Sequence, residues 1–261
     1  INEDDTPALT GTLTSTDVDA DDTATYTHDD VGTVAGFTLN ADGTWSFDAS
    51  DAAYQHLEAG VSETIAINYT VTDSANAMSS ASFNIVITGV NDSPVATFDA
   101  AQTATEDGAA VNGTLTATDV DDNAILTFTI QPAVDGLTLV DDDWSFDPTD
   151  AAYQDLDEGD TKAVTINYTV SDGTANDSGS FVITVTGTND APVATFTTQQ
   201  DVNEDAAVIN GTVTSTDVDA NDTAVYANTN GPIDGLTFGA DGAWSFDPSN
   251  AAYQELSVGT Q

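Results

Sequence analysis

The sequence predicts an all-β chain, a tandem linear array of antiparallel β-sandwiches with about seven short strands per repeat. Three observations predict it. First, apolar and polar residues alternate in Ile65, Ile67, Tyr69, Val71 and again in Val164, Ile166, Tyr168, Val170, the period of half-buried strands. Phe83, Ile85, Ile87 and Phe181, Ile183, Val185 follow the same rule. Second, the chain repeats itself. "WSFD" begins at 45, 144 and 244, "AAYQ" at 52, 151 and 251, and "INYTV" at 67 and 166. A period near 100 residues is the size of a small sandwich rather than of a solenoid repeat. Third, Asp42-Gly43 and Asp241-Gly242 read as hairpin turns, and no stretch keeps helical spacing over a useful length.

The elements of one repeat follow in order. An opening strand "PVATF" leads to a Glu-Asp pair, Glu3-Asp4, Glu106-Asp107 or Glu204-Asp205. A strand then runs into an acidic turn: "TSTDVDADD" at 14–22, "TATDVDDN" at 116–123 and "TSTDVDAND" at 214–222. In "WSFD" the Trp and Phe share one face, so Trp45, Trp144 and Trp244 are core residues rather than carbohydrate-stacking platforms. "DAAYQ" permits one short helical turn. The "INYTV" strand ends at "VTDS" or "VSDG", and after one more strand the linkers "GVNDSP" and "GTNDAP" join successive repeats. Residues 1–90, 91–188 and 189–261 are the three repeats; the first is expected to lack its opening strand and the third its last strands. That pattern reads as a window from a longer array, or as end units completed by strands from neighbouring chains.

Composition limits function. The chain has 45 Asp plus Glu against one Lys or Arg, a formal net charge of −44, yet 39% of residues are hydrophobic. Enough apolar material is present for packed cores, unlike an acidic disordered tail. Nucleic acid is excluded as a partner and anionic membrane surfaces are disfavoured, because both need basic side chains. No apolar run long enough for direct membrane insertion occurs. With no cysteine, no repeated histidine and Lys162 as the one fixed positive side chain, an enzyme is hard to assemble. His28 and His56 have no counterparts in the other repeats and are expected at the surface.

The acids invite a cation. Asp17, Asp19, Asp21 and Asp22 fall within six positions with no basic residue to relieve them, and the arrangement recurs once per repeat. Asp-x-Asp alone is an ordinary polar turn. An EF-hand is ruled out, since Asp22, Ala124 and Asp222 occupy its glycine position and His28, Ile130 and Asn228 its bidentate glutamate. In an end-to-end array, however, the acidic turn, the Glu-Asp pair and the linker Asn-Asp converge on one junction. Carboxylates and carbonyls gathered there form a hard oxygen site of the kind Ca2+ takes.

"GTLTATDVDDNAILTFTI" (113–130), "INYTVSDG" and "GTNDAP" together resemble a cadherin repeat, and more closely the VCBS-type, bacterial cadherin-like (Ig-like) tandem repeats of large secreted RTX-type adhesins. The resemblance covers nearly the whole chain. It implies calcium at the first junction held by Glu3, Asn91 through its backbone carbonyl, Asp92, Asp119, Asp121 and Asp172. At the second it implies Glu106, Asn189, Asp190, Asp217 and Asp219. Asp17, Asp19 and Asp73 would face a preceding repeat, and Glu204 holds the place of Glu3 in the third. The family's Leu-Asp-x-Glu segment is only partly kept: "HLEAG" offers Glu58, "DLDEGD" offers Asp157 and Glu158, and "ELSVG" offers no acid. Gly89 and Gly187 stand where the family's linker begins with an acid.

The expected function is a calcium-rigidified extender of a bacterial extracellular adhesin, in contact mainly with neighbouring repeats of its own chain. The alternative is a filament or surface-layer subunit assembled with identical chains by strand exchange. A glycan- or protein-binding module would need insertions that the near-identical repeat lengths do not show. A purely halophilic role would scatter acids over every strand face instead of gathering them in turns and near linkers.

Overall fold

The computed structural model describes residues 1–19, 21–28 and 34–255. The first repeat contains β1 (Leu9–Thr12), β2 (Thr25–His28), β3 (Phe37–Leu39), β4 (Thr44–Phe47), β5 (Ser62–Thr72) and β6 (Met78–Thr88). The second contains β7 (Val95–Ala96), β8 (Gln102–Thr105), β9 (Val111–Thr114), β10 (Ala117–Thr118), β11 (Thr127–Ile130), β12 (Leu137–Val140), β13 (Asp143–Phe146), β14 (Thr161–Ser171) and β15 (Asn176–Thr186). The third contains β16 (Val193–Ala194), β17 (Ile209–Thr212), β18 (Ser215–Thr216), β19 (Leu236–Phe238) and β20 (Ala243–Phe246), followed by a 3-10 turn at Ala251–Tyr253.

The middle repeat is the most complete. Its first two strands are each broken in two, β7/β8 and β9/β10, so the segments amount to the seven strands of a sandwich. One sheet runs β11-β14-β15-β8 and the other β12-β13-β9, and β10 and β7 form a separate two-stranded pair. Every sheet is built from strands of a single repeat. All pairings of the middle repeat are antiparallel except β8 on β15, which is parallel and aligns Thr105 with Thr186.

Alternation decides what is buried. Ile166 and Tyr168 on β14 and Phe181, Ile183 and Val185 on β15 point inward and cluster with Trp144 and Phe146 of β13, and Val170 on β14 is buried as well. Trp144 and Phe181 lie 5.1 Å apart between ring centres. The Tyr168 hydroxyl donates to the Phe98 carbonyl at 2.9 Å and accepts from the Phe98 amide at 3.0 Å, pinning the segment between β7 and β8. The first repeat packs Phe47, Ile67, Ile85 and Ile87 in the same way. In each "AAYQ" turn the tyrosine hydroxyl reaches back to a carbonyl: Tyr54 to Ala35, Tyr153 to Asp135 and Tyr253 to Asp234. Asp42-Gly43 and Asp241-Gly242 do turn hairpins, with Gly43 and Gly242 at φ of 88° and 82°, a region open to glycine without strain. One expectation needs correcting. His56 is exposed, but His28 is half-buried, its ring 5.3 Å from Phe37, because it lies on β2 beside the aromatic cluster.

A glycine faces each tryptophan. A Cβ on Gly113 would stand 2.6 Å from Trp144 Cζ2, and Gly11 and Gly211 meet Trp45 and Trp244 at 2.4 Å. Trp144 is 1% exposed and packs against the rings of Phe98 and Phe181. Gly113→Ala is therefore expected to cost about 1–3 kcal/mol by overpacking, read as a lower denaturation midpoint; an unchanged midpoint would show that the ring can shift freely.

Candidate metal centre at the repeat junctions

The linker geometry begins with backbone pairing. β7 follows directly on "NDSP" and pairs with β10, aligning Ala96 with Ala117 and Val95 with Thr118. Since Asp119 follows β10, this pairing sets the acidic turn beside Asn91 and Asp92. The Asp92 amide then donates to Asp121 Oδ2 at 3.0 Å. β16 and β18 repeat the arrangement, and the Asp190 amide donates to Asp219 Oδ2 at 2.8 Å.

From the preceding repeat comes a buried glutamate. Glu106 follows β8, where the parallel pairing with β15 ends, and its amide donates to the Thr186 carbonyl at 2.9 Å. Its Oε2 accepts from the linker amide of Thr188 at 2.9 Å, while Oε1 is buried without a partner. Glu3 matches it. Its amide donates to the Thr88 carbonyl at 3.1 Å, Oε1 accepts from the Val90 amide at 2.7 Å, and Oε2 is buried without a partner. The two side chains are 0% and 1% exposed, a position glutamate avoids unless paired. Glu204 repeats the pattern in part, with Oε2 buried and unpartnered.

The remaining predicted residues fall as follows. Glu3, Asp92 and Asp121 bring oxygens within 4.8 Å of one another, and so do Asp217, Asp219 and Asp222. Asp92 Oδ2, Asp119 Oδ2, Asp121 Oδ1, Asp190 Oδ2 and Asp219 Oδ1 are all buried without a hydrogen-bond partner. Asp172, just past β14, accepts from the Asn91 side-chain amide at 2.9 Å. The Asn189 amide turns onto the Asp190 carbonyl at 2.5 Å. At the far end of the first repeat, Asp17, Asp19 and Asp22 form a third cluster, and Asp73 lines the same hollow as Asp17 and Asp22. Glu158 is exposed, whereas Asp157 accepts from the Asn221 amide and side chain at 3.0 and 2.5 Å. Glu58 takes the equivalent bond from Asn123 at 2.7 Å. The "ELSVG" loop lies outside the described residues after Glu255.

Four acids stand outside the ligand sets that the resemblance implies, although the Glu-Asp pairs and the acidic turns that contain them are expected at the junctions. Asp4 lies close enough to raise Glu3 and Asp92 by its charge, and Asp107 does the same to Glu106 and Asp190. Asp22 and Asp222 close the clusters of their turns. Their spacing after Asp-x-Asp was the available signal. The glycine that replaces an acid at the linker's start also has a cause. Gly89 and Gly187 sit against the carbonyls of Leu57 and Glu58, or of Leu156 and Asp157, where a Cβ would come within 2.2–2.6 Å of backbone oxygen. The Gly60 and Gly159 amides donate to these linker glycines at 2.9 and 3.1 Å, holding the Glu58 and Asp157 loops at the junction.

Burial, followed after the Val90 bond by the charges of Asp92, Asp4 and Asp121, pushes the Glu3 carboxyl above its ordinary value. Burial and neighbouring carboxylates raise Asp92, Asp121 and Glu106 likewise. Asp172 is lowered, first by the Ala175 amide and then by Asn91. The chain's single Lys or Arg, Lys162, gives its ammonium to the Ala152 carbonyl at 2.6 Å, away from these groups. The donor set is oxygen only, anionic and acceptor-only, with oxygens spaced for one hard cation; it suits calcium and offers nothing to a thiolate- or imidazole-preferring metal.

No family model matches the chain, and no curated protein matches it. Solved structures do. The EC21-23 segment of human CDH23 superposes with a TM-score of 0.51 at 15% identity, covering 87% of this chain and 79% of that one. PcdhgB3 EC1-4 gives 0.53 at 13% identity, covering 94% and 63%. Protocadherin Gamma B7 extracellular cadherin domains 1-4 gives 0.46 at 17% identity, and this chain spans 64% of its length. At such identities the likeness is one of fold: the chain is a tandem series of cadherin-like, Ig-like β-sandwiches.

Protonation has a definite sign here. Glu3, Asp92, Asp121 and Glu106 hold protons more tightly folded than unfolded, so their contribution to the metal-free fold is present below the ordinary carboxylate values and lost as pH rises through the raised ones. Lowered groups such as Asp172 act in the opposite direction, at lower pH. Self-repulsion of the whole chain acts in the same direction as the raised groups. Thermal melts of protein stripped of calcium at neutral pH and moved into calcium-free buffers are expected to show Tm falling from about pH 4.5 towards neutrality, with the fall suppressed by calcium; a Tm that rises over that range would refute the assignment.

Proposed function

We propose that this chain is a calcium-stiffened extender segment of a bacterial extracellular adhesin, built from VCBS-type repeats and holding a distal binding domain away from the cell. The observation that carries this reading is the repeated buried glutamate, Glu3 and Glu106. Each clamps a linker amide with one oxygen and leaves the other buried and unpartnered beside the next repeat's acids. The cadherin-like fold supports a role in adhesion, and the terminal-to-terminal order of similar units supports a role as spacer.

The residues proposed to hold calcium at the first junction are Glu3, Asp92, Asp119 and Asp121, with Asn91 and Asp172 at the edge. Glu106, Asp190, Asp217 and Asp219 do so at the second. Their work is positional. The glutamate ties the linker to the repeat before it, and the Asp92 and Asp190 amides tie the linker to the turn after it. Calcium supplies the positive charge that these oxygens lack. Because the oxygens come from both repeats and the linker, only the ordered junction presents them together, so binding favours that arrangement by the difference in affinity for ordered and disordered forms.

Small-angle scattering of this chain in millimolar calcium and then in EGTA at matched ionic strength tests the reading. An extended, stiff particle that becomes flexible or unfolded in EGTA is expected; an unchanged profile would sink it. Concentration-dependent polymers would instead favour the filament alternative. Glu106→Gln keeps the linker clamp sterically possible but removes a charge. It is expected to weaken calcium binding at the second junction about tenfold or more, which corresponds to about 1.4 kcal/mol, as read by calorimetry.

A further inference from the structure

The middle repeat differs from its neighbours at one hairpin. Nine residues run from Phe37 to Trp45 and from Leu236 to Trp244, but eight from Leu137 to Trp144, so the loop joining β12 to β13 is one residue shorter. In the flanking repeats the longer loop is seated on a tyrosine. The Tyr26 amide donates to the Ala41 carbonyl at 3.1 Å, and the Tyr226 amide to the Ala240 carbonyl at 3.0 Å. Each ring lies against the loop's glycine: a Cβ on Gly43 would stand 2.9 Å from Tyr26 Cε2, and one on Gly242 3.1 Å from Tyr226 Cδ2. Each tyrosine hydroxyl also meets a serine, Ser15 at 3.0 Å and Ser215 at 2.8 Å.

Counted from the Asp-x-Asp turn, Phe128 and Ala117 hold the places of that tyrosine and serine. Neither carries a hydroxyl. Among the described residues no hydrogen bond ties the Phe128 amide to the shortened loop. A cavity of about 630 Å3 stands at this point, a size within the roughly 300–1,000 Å3 of small-molecule sites. Leu115, Ala117, Phe128 and Leu139 give it apolar walls, and Leu115 is 1% exposed. Asp141 and Asp142 line it from the loop and are themselves exposed.

We propose that this cavity is a binding site for a small organic cation, an apolar body carrying one ammonium group. The walls favour the apolar body, since burying it removes its surface from water. The two loop acids favour the charge. Their backbone is held in place: Val140 pairs with Asp143 across the turn, and the Leu115 amide donates to the Asp142 carbonyl at 2.8 Å. No basic side chain competes, because Lys162 gives its ammonium to the Ala152 carbonyl. An anion of the same shape is repelled by both acids and by the net charge of −44. A neutral one gains the apolar contact alone. The first and third repeats, with tyrosine and serine bridged and the loop longer, are expected not to bind.

Phenethylammonium is the probe, with phenethyl alcohol and phenylpropionate as its neutral and anionic counterparts. Each is titrated into the whole 15N-labelled chain in millimolar calcium and followed by NMR. The ammonium ion is expected to cause saturable shifts around Leu115, Phe128 and Leu139. The alcohol is expected to bind there at least tenfold more weakly, and phenylpropionate not at all. Asp141→Asn combined with Asp142→Asn lies in an exposed turn where asparagine is tolerated, and should lower the ammonium affinity to that of the alcohol. Ala117→Ser with Phe128→Tyr, which rebuilds the hydroxyl bridge across two cavity walls, should weaken all binding at least tenfold; the spectra show whether each variant is folded. Ammonium shifts that do not saturate, or that fall only on the acidic turns, would overturn the proposal. So would an alcohol that binds as tightly as the ammonium ion, or a doubly amidated variant that binds like the parent.

Discussion

A carboxylate placed where no donor meets its second oxygen is the constraint on which this architecture turns. Glu3 and Glu106 are almost wholly buried, and each spends one oxygen on a linker amide. The other oxygen lies among aspartates of the next repeat, so every further neighbour makes the charge harder to keep. A protein can answer with a basic side chain, but this chain has one Lys or Arg, and it is committed elsewhere. Protons can relieve the burden only at low pH. The linker is thus ordered by its amides, while the carboxylates around it have no basic side chain to balance them. The sandwiches supply rigid walls, and the charge imbalance is confined to the seams between them.

Much of this could be read from residues alone, and what could not has a physical cause. Period-two alternation correctly separated Ile166, Tyr168 and Val170 from their exposed neighbours, because a strand's two faces are set by local geometry. The resemblance to cadherin repeats implies Glu106, Asp190 and Asp219 at one seam, and there the charges of Asp190 and Asp219 act on Glu106. The participation of Glu58 and Asp157 through Asn123 and Asn221 was not legible, because it depends on how closely a loop of one repeat approaches a turn of the next. The glycine at the start of each linker looked like a departure from the cadherin pattern. It proves to be demanded by the backbone of a loop folded against it, a contact between residues about thirty positions apart. His28 shows the opposite error: a residue with no counterpart in the other repeats still found a ring to pack on.

The same plan tolerates local variation because its parts are independent. Each acidic turn takes its shape from short-range bonds, such as the Asp121 amide donating to Asp119 Oδ1 at 3.1 Å. The clamp under the linker comes from a different strand, and the loop behind it from a third element. A change such as Ala for Asp at one turn alters the local charge without disturbing strand register, which is set by the alternation across β14 and β15. Junctions can therefore diverge while the sandwiches between them stay alike.

The parallel contact of β8 on β15 has a consequence for mechanical load. These are near the beginning and the end of the same repeat, lying side by side and pointing the same way. Tension applied through the linkers pulls the start of one strand and the end of the other in opposite directions along their common axis. The ladder bonds from Gln102–Thr105 to Ile183–Thr186 are then sheared together instead of being peeled apart one at a time. Once tension reaches this ladder, its bonds bear the load together.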